Sequence, residues 1–127
     1  MNLIGIGIDV VEVSRIKSSL DEFGEKFLTR IFTEAERDYC QNQKMPELHL
    51  AARFAAKEAI AKALGTGIGK EVGWLDMEIK RRTSGEPEVK LTGAAAAFAA
   101  SRGVKQVMVS LTHAKRYAAA NAVIMGE

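Results

Sequence analysis

Asp9 and Glu58 are the carboxylates whose settings suit chemistry. The first closes a short β-prone run, NLIGIGI at 2–8, and the second sits on an alanine-rich helix with Lys62 one turn further on. Two carboxylates brought together can hold one hard divalent cation, because Mg²⁺ is typically bound by one or two carboxylates, waters and substrate phosphate. Lys62 can meet the same phosphate as a point charge. Such a set suits phosphoryl-type transfer. The sequence alone does not bring Asp9 to Glu58, and each has a plainer reading. Asp9 with Glu12 resembles a helix capping box, although Ser14 caps the same helix equally well. Glu58 with Lys62 also has the spacing of a surface ion pair.

Arg53 and Lys57 stand one turn apart on the same helix, where like charges repel, so an anion between them would be favourable. The plainer alternative sends both to solvent. His113, between two predicted strands and close to Lys115 and Arg116, can belong to an anion site or be structural in its turn. His49 has no partner that its spacing reveals. GTGIGK at 65–70 lacks the Walker spacing, GIGID at 5–9 lacks the third glycine of a dinucleotide fingerprint, and no GxSxG occurs.

The elements that must position these residues are legible in outline. From Leu50 the segment LAARFAAKEAIAKAL is helix-forming throughout, and Gly65 supplies its left-handed stop after Leu64. Leu50, Phe54, Ile60, Ala61 and Leu64 gather on one side and Ala52, Ala56, Ala59 and Ala63 on the other, so both sides can be buried. Gly5 and Gly7 leave one face of the first strand nearly bare, open to close approach by another backbone. A helix is predicted over 14–27, weakened or kinked at Gly24, with Arg15, Lys26 and Arg30 forming either a basic edge for an acidic partner or a solvated face. Thr33 and Glu36 make a capping box for the next helix, with Tyr39 and Cys40 inward. Strands are predicted over 74–81 and 89–91, joined by Ser84-Gly85-Glu86-Pro87, then a helix over 93–102 and strands over 106–112 and 117–125. This order predicts an α+β fold of one domain, 1–127, with a largely antiparallel sheet packed against helices that include one long central helix.

With 18 basic and 16 acidic residues the net charge is +2, too small to point to nucleic acid, so any anion site is local. The single cysteine, Cys40, excludes an internal disulfide and a cysteine-based zinc site and points to a reducing, cytoplasmic setting. No run of the sequence approaches the ~20 apolar residues of a membrane span, and no leader pattern is visible.

GIGIDVVEVSRI at 5–16, IFTEAE at 31–36, RFAAKEAIAKALGTGIG at 53–69 and SLTHAKRYAAANAV at 110–123 resemble the bacterial holo-[acyl-carrier-protein] synthase family of 4′-phosphopantetheinyl transferases, in the same order and over nearly the full chain. The resemblance implies transfer of the 4′-phosphopantetheine arm of coenzyme A to a serine of apo acyl carrier protein in fatty acid biosynthesis, with release of adenosine 3′,5′-bisphosphate and use of Mg²⁺. By position it implies metal binding by Asp9 and Glu58, and a phosphate contact for Lys62. Arg53, Gly65, Thr66 and His113 would line the coenzyme A site, and Arg15 would face the acidic carrier. It further implies a homotrimer with each active site shared between subunits, which would account for a central helix apolar on two sides. The competing hypothesis is a non-catalytic oligomeric module that binds a nucleotide or an acidic helix through Arg15, Arg53 and Lys62. A broader transferase for carrier domains of large synthases is disfavoured by the short chain.

Overall fold

Strand β1 (Asn2–Glu12) is longer than its apolar run suggests, so Asp9 lies within the strand rather than at its end. The computed structural model describes residues 1–127. On one face of β1, a Cβ at Gly5 would collide with the Ala63 carbonyl and one at Gly7 with that of Ala59. Glycine at both positions therefore lets helix α4 (Pro46–Ala63) lie directly on the strand. β5 (Tyr117–Gly126) pairs antiparallel with β1 on one side and with β4 (Val104–His113) on the other, giving the order β1-β5-β4. Its inward residues Ala118, Ala120 and Ala122 are buried and small, which again suits a helix backbone held close to the sheet.

Helix α1 (Val13–Phe23) begins at an N-cap, Glu12, whose side chain makes no capping bond, so neither the Asp9–Glu12 box nor the Ser14 cap is formed. Gly24, at φ 53°, separates α1 from α2 (Glu25–Ile31) and breaks the predicted helix in two. Helix α3 (Glu34–Gln41) opens with the expected Thr33–Glu36 capping box. After α4 a short 3₁₀ turn (Trp74–Asp76) takes the place of the start of the expected strand, and β2 (Met77–Arg81) pairs with β3 (Pro87–Leu91) as a hairpin. Helix α5 (Gly93–Ser101) completes an α+β fold in which every strand pairing is antiparallel.

Helix α4 is the centre of the core. It packs on β1, β5 and β4 on one side and on α1, α3 and β2 elsewhere, so its two apolar sides are both buried within its own chain. Burial of both sides is as expected, and the subunit's own elements, rather than a trimer contact, account for it. The uncovered apolar surface is instead the outer face of the sheet, where Ile6, Ile8 and Val10 are 68%, 66% and 60% exposed. No helix is long and apolar enough to cross a membrane.

Candidate active site

Lys62 leaves the last turn of α4 and reaches back across the bare face of β1. Its ammonium donates to the Asp9 carboxylate at 3.1 Å and to the Ile8 carbonyl at 3.0 Å. The predicted helix-surface pair with Glu58 is not the one formed. Glu58, one turn earlier on the same helix, turns to the same cleft of about 370 Å³, which Asp9, Lys62 and Arg15 also line. Its other wall is apolar, with Val11, Ile16, Phe27 and Phe54. Burial pushes the Glu58 carboxyl above its ordinary value, the negative charge of Asp9 pushes it the same way, and Lys62 opposes both. Strand and helix thus bring the two carboxylates together, as the sequence could not show.

The donor set fits a hard cation held in an open fashion. Two carboxylates that repel each other gain from a positive charge between them, and no third His, Cys, Asp or Glu joins them to make a closed cage. A divalent ion there would keep positions for water and for phosphate oxygens.

Lys57 has no part in this cleft. It is fully buried, with Nζ 2.6 Å from Glu36 Oε1 and donating to the Ile31 and Trp74 carbonyls at 2.7 and 3.0 Å. Glu36 in turn accepts from the Thr33 N–H at 2.9 Å and the Ile79 N–H at 2.8 Å. The anion expected near Lys57 is therefore a protein carboxylate, and the capping residue of α3 is also the counterion of α4. Cys40 is buried beside this cluster, which raises its thiol to about 11 and leaves it protonated and unreactive at neutral pH.

Arg53 and His113 meet elsewhere, in a second cavity of about 230 Å³ that none of Asp9, Glu58 and Lys62 lines. Arg53 is only 5% exposed and lies over the Tyr39 ring at 4.4 Å, and it has neither an ion pair nor a partner for its Nε. His49 and Arg81 share this cavity, and sequence reasoning missed both, because neither has a local spacing that marks it. Gly65 and Thr66 line neither cavity. Gly65, at φ 87°, ends α4, and the Thr66 and Gly67 N–H groups donate back to the Ala61 carbonyl.

A helix laid on a glycine-faced strand thus gathers two carboxylates and a lysine at their crossing, beside an apolar wall. The chain belongs to the 4′-phosphopantetheinyl transferase superfamily, whose model matches residues 5–122. Among named relatives it is 49% identical over 121 residues to the holo-[acyl-carrier-protein] synthase of Chlamydia trachomatis, covering 95% of this chain and 98% of that protein. The crystal structure of the synthase from Neisseria meningitidis superposes with a TM-score of 0.91 at 34% identity, covering 98% of this chain and 99% of that one. The Helicobacter pylori synthase, solved in complex with coenzyme A, gives 0.83 at 32% identity, covering 94% and 99%.

Proposed function

We propose that this chain is a transferase that moves the 4′-phosphopantetheine arm of coenzyme A to a serine of apo acyl carrier protein and releases adenosine 3′,5′-bisphosphate. The observation that carries the reading is the meeting of Asp9, Glu58 and Lys62 on one cleft beside an apolar wall. Asp9 and Glu58 would hold Mg²⁺, which when bound offsets the charge of the pyrophosphate oxygens. Lys62, half-exposed beside Asp9, stabilises charge on the departing phosphate. The carrier serine oxygen forms its bond to the coenzyme A β-phosphorus as the bridging P–O bond breaks, and Glu58 or a water beside it accepts the serine proton. Arg15, exposed at the mouth of the cleft on α1, has no ion pair of its own and faces the acidic carrier.

Arg53 and His113 suit a phosphate of coenzyme A, yet they open on a different cavity from the carboxylates. A homotrimer joined through the exposed Ile6–Ile8–Val10 face would let one subunit supply Asp9, Glu58 and Lys62 and its neighbour Arg53 and His113. Gly65 and Thr66, at the end of α4, would then border the groove between them. The enzyme would act in the cytoplasm as one 127-residue domain feeding fatty acid synthesis. The deciding assay incubates the protein with coenzyme A, Mg²⁺ and apo carrier protein. The carrier gains the mass of phosphopantetheine on its serine and chelator abolishes the gain; an unmodified carrier would refute the reading.

A further inference from the structure

His49 takes no part in the chemistry described so far, yet its setting is unusual. The cavity it lines contains four groups that carry or can carry positive charge, Arg53, Arg81, His49 and His113, and no carboxylate. A buried guanidinium cannot shed its proton, so Arg53, with no ion pair and no partner for its Nε, gains from an anion that enters the cavity. The His49 ring meets His113 of β4 edge to face with centroids 4.9 Å apart, and meets Tyr39 of α3 at 5.9 Å. Facing it are Tyr39, Arg53 on its own helix, Arg81 of β2 and His113, so every charged group around it is a cation. Burial, and then the positive field of His113, Arg53 and Arg81, holds His49 below its ordinary value and neutral at pH 7. A dianion entering the cavity reverses the sign of that field.

We propose that His49 is a second imidazole of the phosphate pocket formed by Arg53 and His113, and that it takes up a proton from solvent when a phosphomonoester dianion enters. The ring then donates an N–H to the anion instead of standing neutral beside it. This rests on the reading of Arg53 and His113 as phosphate-facing residues. Proton uptake links affinity to acidity, strengthening binding by up to roughly tenfold per pH unit for one whole proton.

The test is calorimetry of the intact protein with adenosine 3′,5′-bisphosphate, in two buffers of different ionisation enthalpy, at pH 8 and pH 7. The wild type is expected to take up a proton and to bind more tightly at pH 7. His49→Phe, which keeps the ring packing against His113 and Tyr39, loses half or more of the uptake and flattens the pH dependence. His49→Gln does the same with a polar group in place. Uptake in both variants equal to that of the wild type, or none in the wild type, overturns the role of His49. The mass-gain assay is independent of this result. Phosphopantetheine transfer without proton uptake removes only the His49 role, and proton-linked binding without transfer removes only the transferase reading.

Discussion

On the proposed mechanism, removing the Lys62 ammonium takes a charge from Asp9 and a donor from the reacting phosphate, but it breaks only a half-exposed pair. Lys62→Ala should therefore lower kcat/KM on the order of a hundredfold or more, while thermal melts move by under ~1 kcal/mol of stability. Parallel losses of both would make Lys62 a structural residue. Glu58 gives a test of opposite sign. Its carboxyl is held above its unfolded value, so the folded protein binds that proton more tightly than the unfolded chain does. The resulting stabilisation is present below the unfolded value and is lost as pH rises through the folded one. At neutral pH without metal, Glu58→Gln should melt at the same temperature as the wild type or higher; Mg²⁺ should raise the Tm of the wild type and not that of the variant. An equal Mg²⁺-induced rise in both would remove Glu58 from the metal site.

At the level of elements, the Glu36–Lys57 pair ties α3 to α4 and, through Ile79 and Trp74, to the approach and body of the hairpin. Lys57→Met leaves Glu36 buried without its cation and should cost about 3–5 kcal/mol in denaturant melts. Adding Glu36→Gln should recover only part of that loss, because the Ile31 and Trp74 carbonyls still lack the ammonium. Full recovery would mean that charge alone, not these backbone bonds, is what the pair contributes. The two members show where sequence reasoning reaches and where it stops. The Thr33–Glu36 box and the Gly65 helix stop are local patterns a few residues long, and both are present. The partner of Lys57 lies 21 positions away in sequence on another helix, and no spacing rule links them. The same holds for Asp9 and Glu58, whose residue types suggested a shared cation while their meeting depended on β1 and α4 lying together. Gly24 was legible as a weak point, but whether it bends or breaks a helix is decided by the packing on either side.

For the molecule as a whole, the outer sheet face is the surface least suited to water. On the proposed trimer, Ile8→Glu places a charge at the middle of the contact and should shift sedimentation from trimer to monomer while the far-UV spectrum keeps its helical content. An unchanged sedimentation coefficient would place the subunit contact elsewhere. The proposed sharing of sites between subunits makes a sharper prediction. Arg53→Ala and Lys62→Ala subunits, each inactive alone, should regain about a quarter of wild-type activity when unfolded and refolded together, since random assembly pairs an intact Lys62 with a neighbour's intact Arg53 at that frequency. No regain would put both residues in a site within one subunit. The trimer is implied by the family resemblance and does not account for the two-sided helix, whose alanines are covered by the subunit's own sheet and helices; the exposed isoleucines of β1 are the apolar surface left for such a contact.

Gly5 and Gly7 do more than admit a helix. Because main chain rests on main chain where β1 meets α4, no side chain lies in the gap to be trimmed, enlarged or turned to another rotamer. The interval between Asp9 and Glu58 is set like the spacing of a caliper closed on its stops. Substitutions elsewhere in the core can soften or stiffen the protein without retuning that interval. It yields to changes at two positions, and Gly7→Ala should show this by weakening Mg²⁺ binding as it lifts the helix, at a cost of about 3 kcal/mol or more in stability.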